Sequence, residues 1–131
     1  MTADFPSAIP EIPVSDIRVA VDHYCRSLGF KLDWGGDEEG GIAGISRGSC
    51  RIFLTNGAFR QVYGNPKPVV IWINLSSCEE VDALYQSWTH REARIVGAPE
   101  RKPWKLYEFT ASDPDGNGLR VFYDFAWEER A

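Results

Sequence analysis

The chain has 131 residues, 44% of them hydrophobic and 25% charged, which is the composition of a globular chain and excludes a disordered or fibrous one. Fourteen basic against nineteen acidic residues leave a net charge of −5; such a chain repels phosphate backbones, so general nucleic-acid binding is not expected. No apolar run reaches the roughly 18 residues of a spanning helix, and no membrane partner is expected.

The opening segment MTADFPSAIPEIPV is acidic and broken by Pro6, Pro10 and Pro13. It lacks a basic start and an apolar stretch, so it does not read as a secretory signal. Residues 1–8 read as a loose lead-in. Ile9 to Val14 is a strand candidate whose prolines confine it to one-sided pairing. Ser15 and Asp16 offer a helix cap. Val21, Tyr24, Cys25 and Leu28 follow at helical spacing, and Gly29 stops the helix. Phe30 to Trp34 is a strand, and GGDEEGG at 35–41 an acidic loop. Ile42 to Arg47 and Arg51 to Thr55 form a hairpin around Gly48 and Ser49. Residues 56–68, with Gly57, Gly64, Pro66 and Pro68, read as a linker.

The order then repeats. Val69 to Leu75 is a strong strand. Ser77 with Glu80 makes a capping box. Val81, Leu84, Tyr85 and Trp88 form one apolar helix stripe. Arg94 to Val96 is a short strand. Leu106 to Thr110 and Leu119 to Tyr123 flank DPDGNG at 113–118, a turn set by Pro114 and Gly116. The prediction is one domain over 1–131, with modules at about 9–55 and 69–124 joined by linker 56–68. Four strands with one helix cannot cover both faces of a module. Two βαβββ modules side by side therefore predict an α+β half-barrel with a ligand crevice.

Few residues suggest bond-making chemistry. Cys25, Cys50 and Cys78 are odd in number and lack CxxC spacing, which argues against a disulfide framework or zinc cluster. They read as small buried hydrophobes in a cytoplasmic protein. His23 and His90 read as solvated helix residues. No HExxH, GxSxG or Cys-His motif occurs. Aromatic and acidic residues remain. Trp88 belongs to the core and Trp127 to the tail. Trp34, Trp72 and Trp104, with the acids Asp37, Glu38 and Glu39 that follow Trp34, are the candidate ligand-binding residues. Flat aromatics beside carboxylates suit flat cationic ligands.

VSDIRVAVDHYCRSLGF at 14–30 and SDPDGNGLRVFYD at 112–124 resemble the vicinal oxygen chelate superfamily. That superfamily holds glyoxalase I, extradiol dioxygenases, fosfomycin-modifying enzymes and bleomycin-resistance proteins. WINL at 72–75, VDALYQSW at 81–88 and KPWKLYEF at 102–109 are most similar to the bleomycin-resistance proteins. Tyr107 joins the candidate ligand set from the last of these segments. The resemblance places the superfamily's four metal-ligand positions at Ile9, at or beside Phe53, near Val70, and at Arg120. These side chains do not bind a divalent ion, and Glu11 and Glu108 do not replace a four-ligand set. No metal or other cofactor is expected. The resemblance implies a homodimer with crevices between the chains. Each crevice would sequester a cationic aromatic ligand, with bleomycin the first candidate. The alternatives are a glyoxalase- or dioxygenase-like lyase or oxidoreductase using a metal or a carboxylate base at Glu11 or Glu108, and a binder of some other small aromatic molecule.

Overall fold

The computed structural model describes residues 4–64 and 66–130. Met1 to Ala3 of the expected lead-in, Asn65 of the linker and Ala131 lie outside the described residues. The first module runs β1 (Glu11–Pro13), α1 (Ile17–Arg26), β2 (Lys31–Gly35), β3 (Ile42–Arg47) and β4 (Cys50–Thr55). The second runs β5 (Val70–Asn74), α2 (Cys78–His90), β6 (Arg94–Arg101), β7 (Leu106–Ser112) and β8 (Gly118–Asp124). A short helix, α3 (Ala126–Arg130), follows. Each module builds its own four-stranded sheet, ordered β1-β4-β3-β2 and β5-β8-β7-β6. The first strand of each pairs parallel to the last, and the other neighbours are antiparallel.

The duplicated order follows the sequence pattern, with two local differences. β6 does not stop at Val96 but runs to Arg101, with register shifts on either side of Gly97. The linker contains a 3-10 turn at Phe59–Val62, where buried Arg60 donates to the Thr55 carbonyl. The helix caps are made as expected. Asp16 accepts from the Val19 amide at 3.0 Å, and Ser77 Oγ from the Glu80 amide at 3.1 Å. Glu80 reaches back to the Ser76 amide at 2.7 Å, which completes the second half of the cap.

Strand alternation decides which face is buried. Ile12, Ala43, Ile45, Ile52 and Leu54 turn one face of the first sheet inward. Phe109, Ala111, Leu119 and Val121 do the same in the second. These faces share one core with Tyr24 and Leu28 of the first module and Val81 and Trp88 of the second. Trp88 Nε1 donates across the modules to the Leu28 carbonyl at 3.2 Å. The other face of each sheet looks away from this core.

The 113–118 turn locks the modules together. Buried Asp113 takes the Asp115 and Asn117 amides on Oδ1, and Asn117 Nδ2 and the Tyr24 hydroxyl on Oδ2, all at 2.9 Å. Asn117 Nδ2 also donates to the Pro13 carbonyl at 2.8 Å. Burial, with the Asp113 charge beside it, pushes the Tyr24 phenol far above its usual range.

Two expectations about side chains are corrected here. The cysteines are free, but all three are half-buried instead of fully enclosed, and Cys50 packs against the edge of the core. His23 is not solvated. It is half-buried with its ring edge-on to Tyr24, and Nε2 is buried without a hydrogen-bond partner among the described residues. Burial lowers its pKa below the ordinary 6.5; Arg94 adds to this, while Asp113 and Asp22 oppose it. The unfolded chain then binds a proton near pH 6.5 that the folded chain resists. Stability from this group is full above that pH and is lost as pH falls through 6.5. Thermal melts from pH 7 to 5 should therefore show a falling midpoint, and His23→Gln should shrink the fall. An unchanged pH slope in the variant would refute this.

Candidate functional site

On the first sheet, a bulge aims Trp34. Leu32 pairs with Ile45, whose side chain faces the core, so strict alternation would send Trp34 to that same face. The register shifts between Leu32 and Trp34, and Trp34 lands opposite Gly44 on the open face. Gly44 is required there. A Cβ at that position would lie 2.4 Å from Trp34 Cε2, so the indole rests directly on the backbone of β3. Trp34 packs edge-to-face on Phe53 at 5.1 Å, and the Arg51 guanidinium lies 5.8 Å from the Phe53 ring. Glu11 stands in register with Phe53 and accepts from Thr55 Oγ1 at 3.1 Å.

On the second sheet, Trp72 of β5 stands opposite Arg120 of β8, and both leave the core face to Ile71, Ile73 and Val121. Trp72 packs edge-to-face on Phe122 at 5.6 Å. The Arg120 guanidinium lies 4.4 Å from the Trp72 ring and 5.9 Å from the Trp104 ring. Glu108 of β7 is only 1% exposed, and both its oxygens are engaged. Oε2 accepts from Arg120 Nε at 2.8 Å and lies 2.7 Å from Nη2 in an ion pair, and Oε1 accepts from Trp104 Nε1 at 2.7 Å. A buried carboxylate needs such partners, since desolvation without them costs several kcal/mol.

The β6–β7 connection presents Trp104. Lys102 and Leu106 close it with an amide-to-carbonyl bond of 2.9 Å. Lys105 takes a positive φ of 71°, a conformation costing a non-glycine residue roughly 1–2 kcal/mol. Beside it, a hollow of about 220 Å³ opens between bulged β6 and β7, lined by Glu100, Lys102, Glu108 and Thr110 among others.

The structure thus brings Trp72 and Trp104 together on one open face and places Trp34 on the open face of the other sheet. These indoles are 48%, 54% and 42% exposed. The other expected residues lie elsewhere. Glu38 accepts from the Ile17 amide at 2.9 Å and Asn56 Nδ2 at 3.0 Å, joining the loop to the start of α1. Asp37 accepts from the Gly40 amide at 2.6 Å within its own turn. With exposed Glu39 they line a hollow beside Asp16 and Arg18. Tyr107 neighbours Glu108 in β7 and so takes the opposite face, where its hydroxyl donates to Asp82 at 2.5 Å. That bond raises the phenol to about 12. Sequence reasoning missed the Glu108–Arg120–Trp104 cluster as a unit.

The superfamily's metal positions do not fit a metal. Of the positions the resemblance assigns, Phe53 lies in β4, Val70 opens β5 and Arg120 lies in β8, while Ile9 precedes β1, and none of these side chains binds a divalent ion. Among the described residues, no three His, Cys, Asp or Glu side chains come close enough to share an ion. Glu108 is also poorly placed as a free base, because its oxygens already accept from Arg120 and Trp104. No helix among the described residues is long and apolar enough to cross a membrane.

Comparison with known proteins agrees with this architecture. Among curated proteins none matches the sequence. Solved structures match over nearly the whole chain. A glyoxalase/bleomycin resistance protein/dioxygenase from Nocardioides superposes with a TM-score of 0.75 at 20% identity, covering 93% of this chain and 85% of that one. The bleomycin-binding protein of bleomycin-producing Streptomyces verticillus, solved with copper(II)-bleomycin, gives 0.69 at 24% identity, covering 92% and 97%. Lactoylglutathione lyase from Agrobacterium tumefaciens gives 0.67 at 19% identity, covering 93% and 97%. These likenesses establish the fold. The family model that matches residues 8–121 places the sequence as well: the chain belongs to the Glyoxalase/Bleomycin resistance protein/Dioxygenase superfamily.

Proposed function

We propose that this protein is a metal-free binder that sequesters a flat aromatic ligand, with cationic, bleomycin-like molecules the first candidates. The observation that carries the reading is the half-exposed pair Trp72 and Trp104 flanking Arg120 on an open sheet face. Exposed indoles held in fixed orientation suit stacking, and Glu108 fixes both Trp104 and Arg120. The net charge of −5 favours approach of a cation from a distance. At the face itself Glu108 is balanced by Arg120, so this pair adds no net charge there and the rings supply the apolar contact.

In this reading two chains pair, and the open face of each sheet is covered by a partner. Exposed Trp34, Val70, Trp72 and Trp104 supply apolar surface for such a contact. Light scattering at micromolar concentration should then give twice the 14.8 kDa chain mass, and a 14.8 kDa particle would refute pairing. The reading suits a cytoplasmic setting, where the three half-buried thiols stay reduced.

Sequestration breaks no bond. Bleomycin incubated with the protein and released by denaturation should return with unchanged mass and chromatographic behaviour. A converted product would favour the lyase or oxidoreductase alternative, with exposed Glu11 as its candidate base.

A further inference from the structure

We infer that Arg120 selects the ligand: the second-sheet face takes an aromatic ring that carries coplanar hydrogen-bond acceptors, such as a carboxylate or a conjugated amide carbonyl. The inference rests on the stacking surface proposed above and adds its polarity.

The geometry of one guanidinium carries it. Nε of Arg120 donates to Glu108 Oε2 at 2.8 Å, and Nη2 lies 2.7 Å from the same oxygen as an ion pair. That occupies one edge of a planar fork. Nη1 and the second proton of Nη2 form another edge, which points away from Glu108. The side chain remains 30% exposed, against 1% for its carboxylate partner. The inner edge is therefore an anchor and the outer edge is an open pair of parallel donors. Glu108 is held in turn by Trp104, so the fork has little freedom to swing. The same guanidinium lies 4.4 Å from the Trp72 ring. A flat ligand lying in the guanidinium plane continues that stack, with its acceptors on Arg120 and its ring beside the indoles. Charge-assisted, bidentate bonds of this kind are the strong and orienting ones. An ammonium group has no acceptor to offer and meets a fixed cation there, so a ligand's positive charges sit away from Arg120.

The test is calorimetric titration of the full chain with 2-naphthoate, 2-naphthamide and 2-naphthylmethylammonium at equal ionic strength. The acid and amide should bind at least about ten-fold tighter than the ammonium compound, since charge-assisted bonds contribute at this scale. Arg120→Lys keeps the charge and loses the planar fork, and it should reduce the preference to about two-fold or less. The double variant Glu108→Gln/Arg120→Gln leaves no buried charge unpaired and should abolish the preference, with circular dichroism confirming the fold. Equal binding of all three probes, or tighter binding of the ammonium compound, would overturn the inference and leave the stacking surface standing. Preference retained in both variants would overturn it too. No binding of any probe would overturn the inference and the stacking surface together.

Discussion

Asp113→Ala is expected to cost about 3–5 kcal/mol of folding stability, the largest effect of any single change considered for this chain. Asp113 is fully buried and accepts four hydrogen bonds. Two come from Asn117 and one from Tyr24, both buried, so truncation strands donors that water cannot reach. Each stranded donor costs about 1–3 kcal/mol. The loss is also a loss between modules, because Tyr24 lies on α1 and Asp113 follows β7. Tyr24→Phe removes one of the four bonds and should cost only about 1–2 kcal/mol. Urea unfolding should show the midpoint falling at constant slope in both variants. A cost below about 1 kcal/mol for Asp113→Ala would mean that the joint is held by packing alone.

Trp72→Ala together with Trp104→Ala should weaken aromatic-ligand binding by about 100-fold. A ring stacked on an indole gains about 0.5–1.5 kcal/mol beyond area burial, and lost contact area adds to that for each residue. Two residues thus remove about 2.7 kcal/mol, or two decades. Both indoles are about half exposed, but Trp104→Ala also takes the Nε1 donor from buried Glu108 Oε1, so circular dichroism should confirm the fold before binding is compared. Trp104→Phe keeps a ring but loses the bond to Glu108 Oε1, and should fall between wild type and Trp104→Ala. Binding that is unchanged in the double variant would place the ligand elsewhere, on the Trp34 face or in another cleft.

Much of the architecture was legible because local signals agree with one another. Alternation marks β3, β4, β5 and β8, caps mark both helices, and DPDGNG marks the last hairpin. Trp34 and Trp104 stood out as bulky aromatics at a strand end and in a loop, and Trp72 as one inside a strong strand. Their grouping was harder to read. The bulge that turns Trp34 outward leaves no mark in composition. The Glu108–Arg120 pair depends on the β7–β8 register, in which Thr110 faces Arg120 and Glu108 lies one diagonal away. Counting outward from the 113–118 turn would have exposed it. Strand parity would likewise have separated Tyr107 from Glu108. In the charge run at 37–39, the use of Glu38, joining the loop to α1, depends on contacts with Ile17 and Asn56 distant in sequence. His23 follows buried Ala20 by three positions, which already set it on the margin of the helix's inner stripe.

The most direct measurement is titration of the purified wild-type chain with bleomycin, followed by tryptophan fluorescence. Trp34, Trp72 and Trp104 are exposed enough to report a ring placed against them. The expected result is a saturable change with a Kd below about 1 mM, the weak end of specific affinity, shifted to weaker binding by Trp72→Ala with Trp104→Ala. The contradicting result is no change up to about 1 mM, which would leave a superfamily fold whose exposed indoles hold some other ligand.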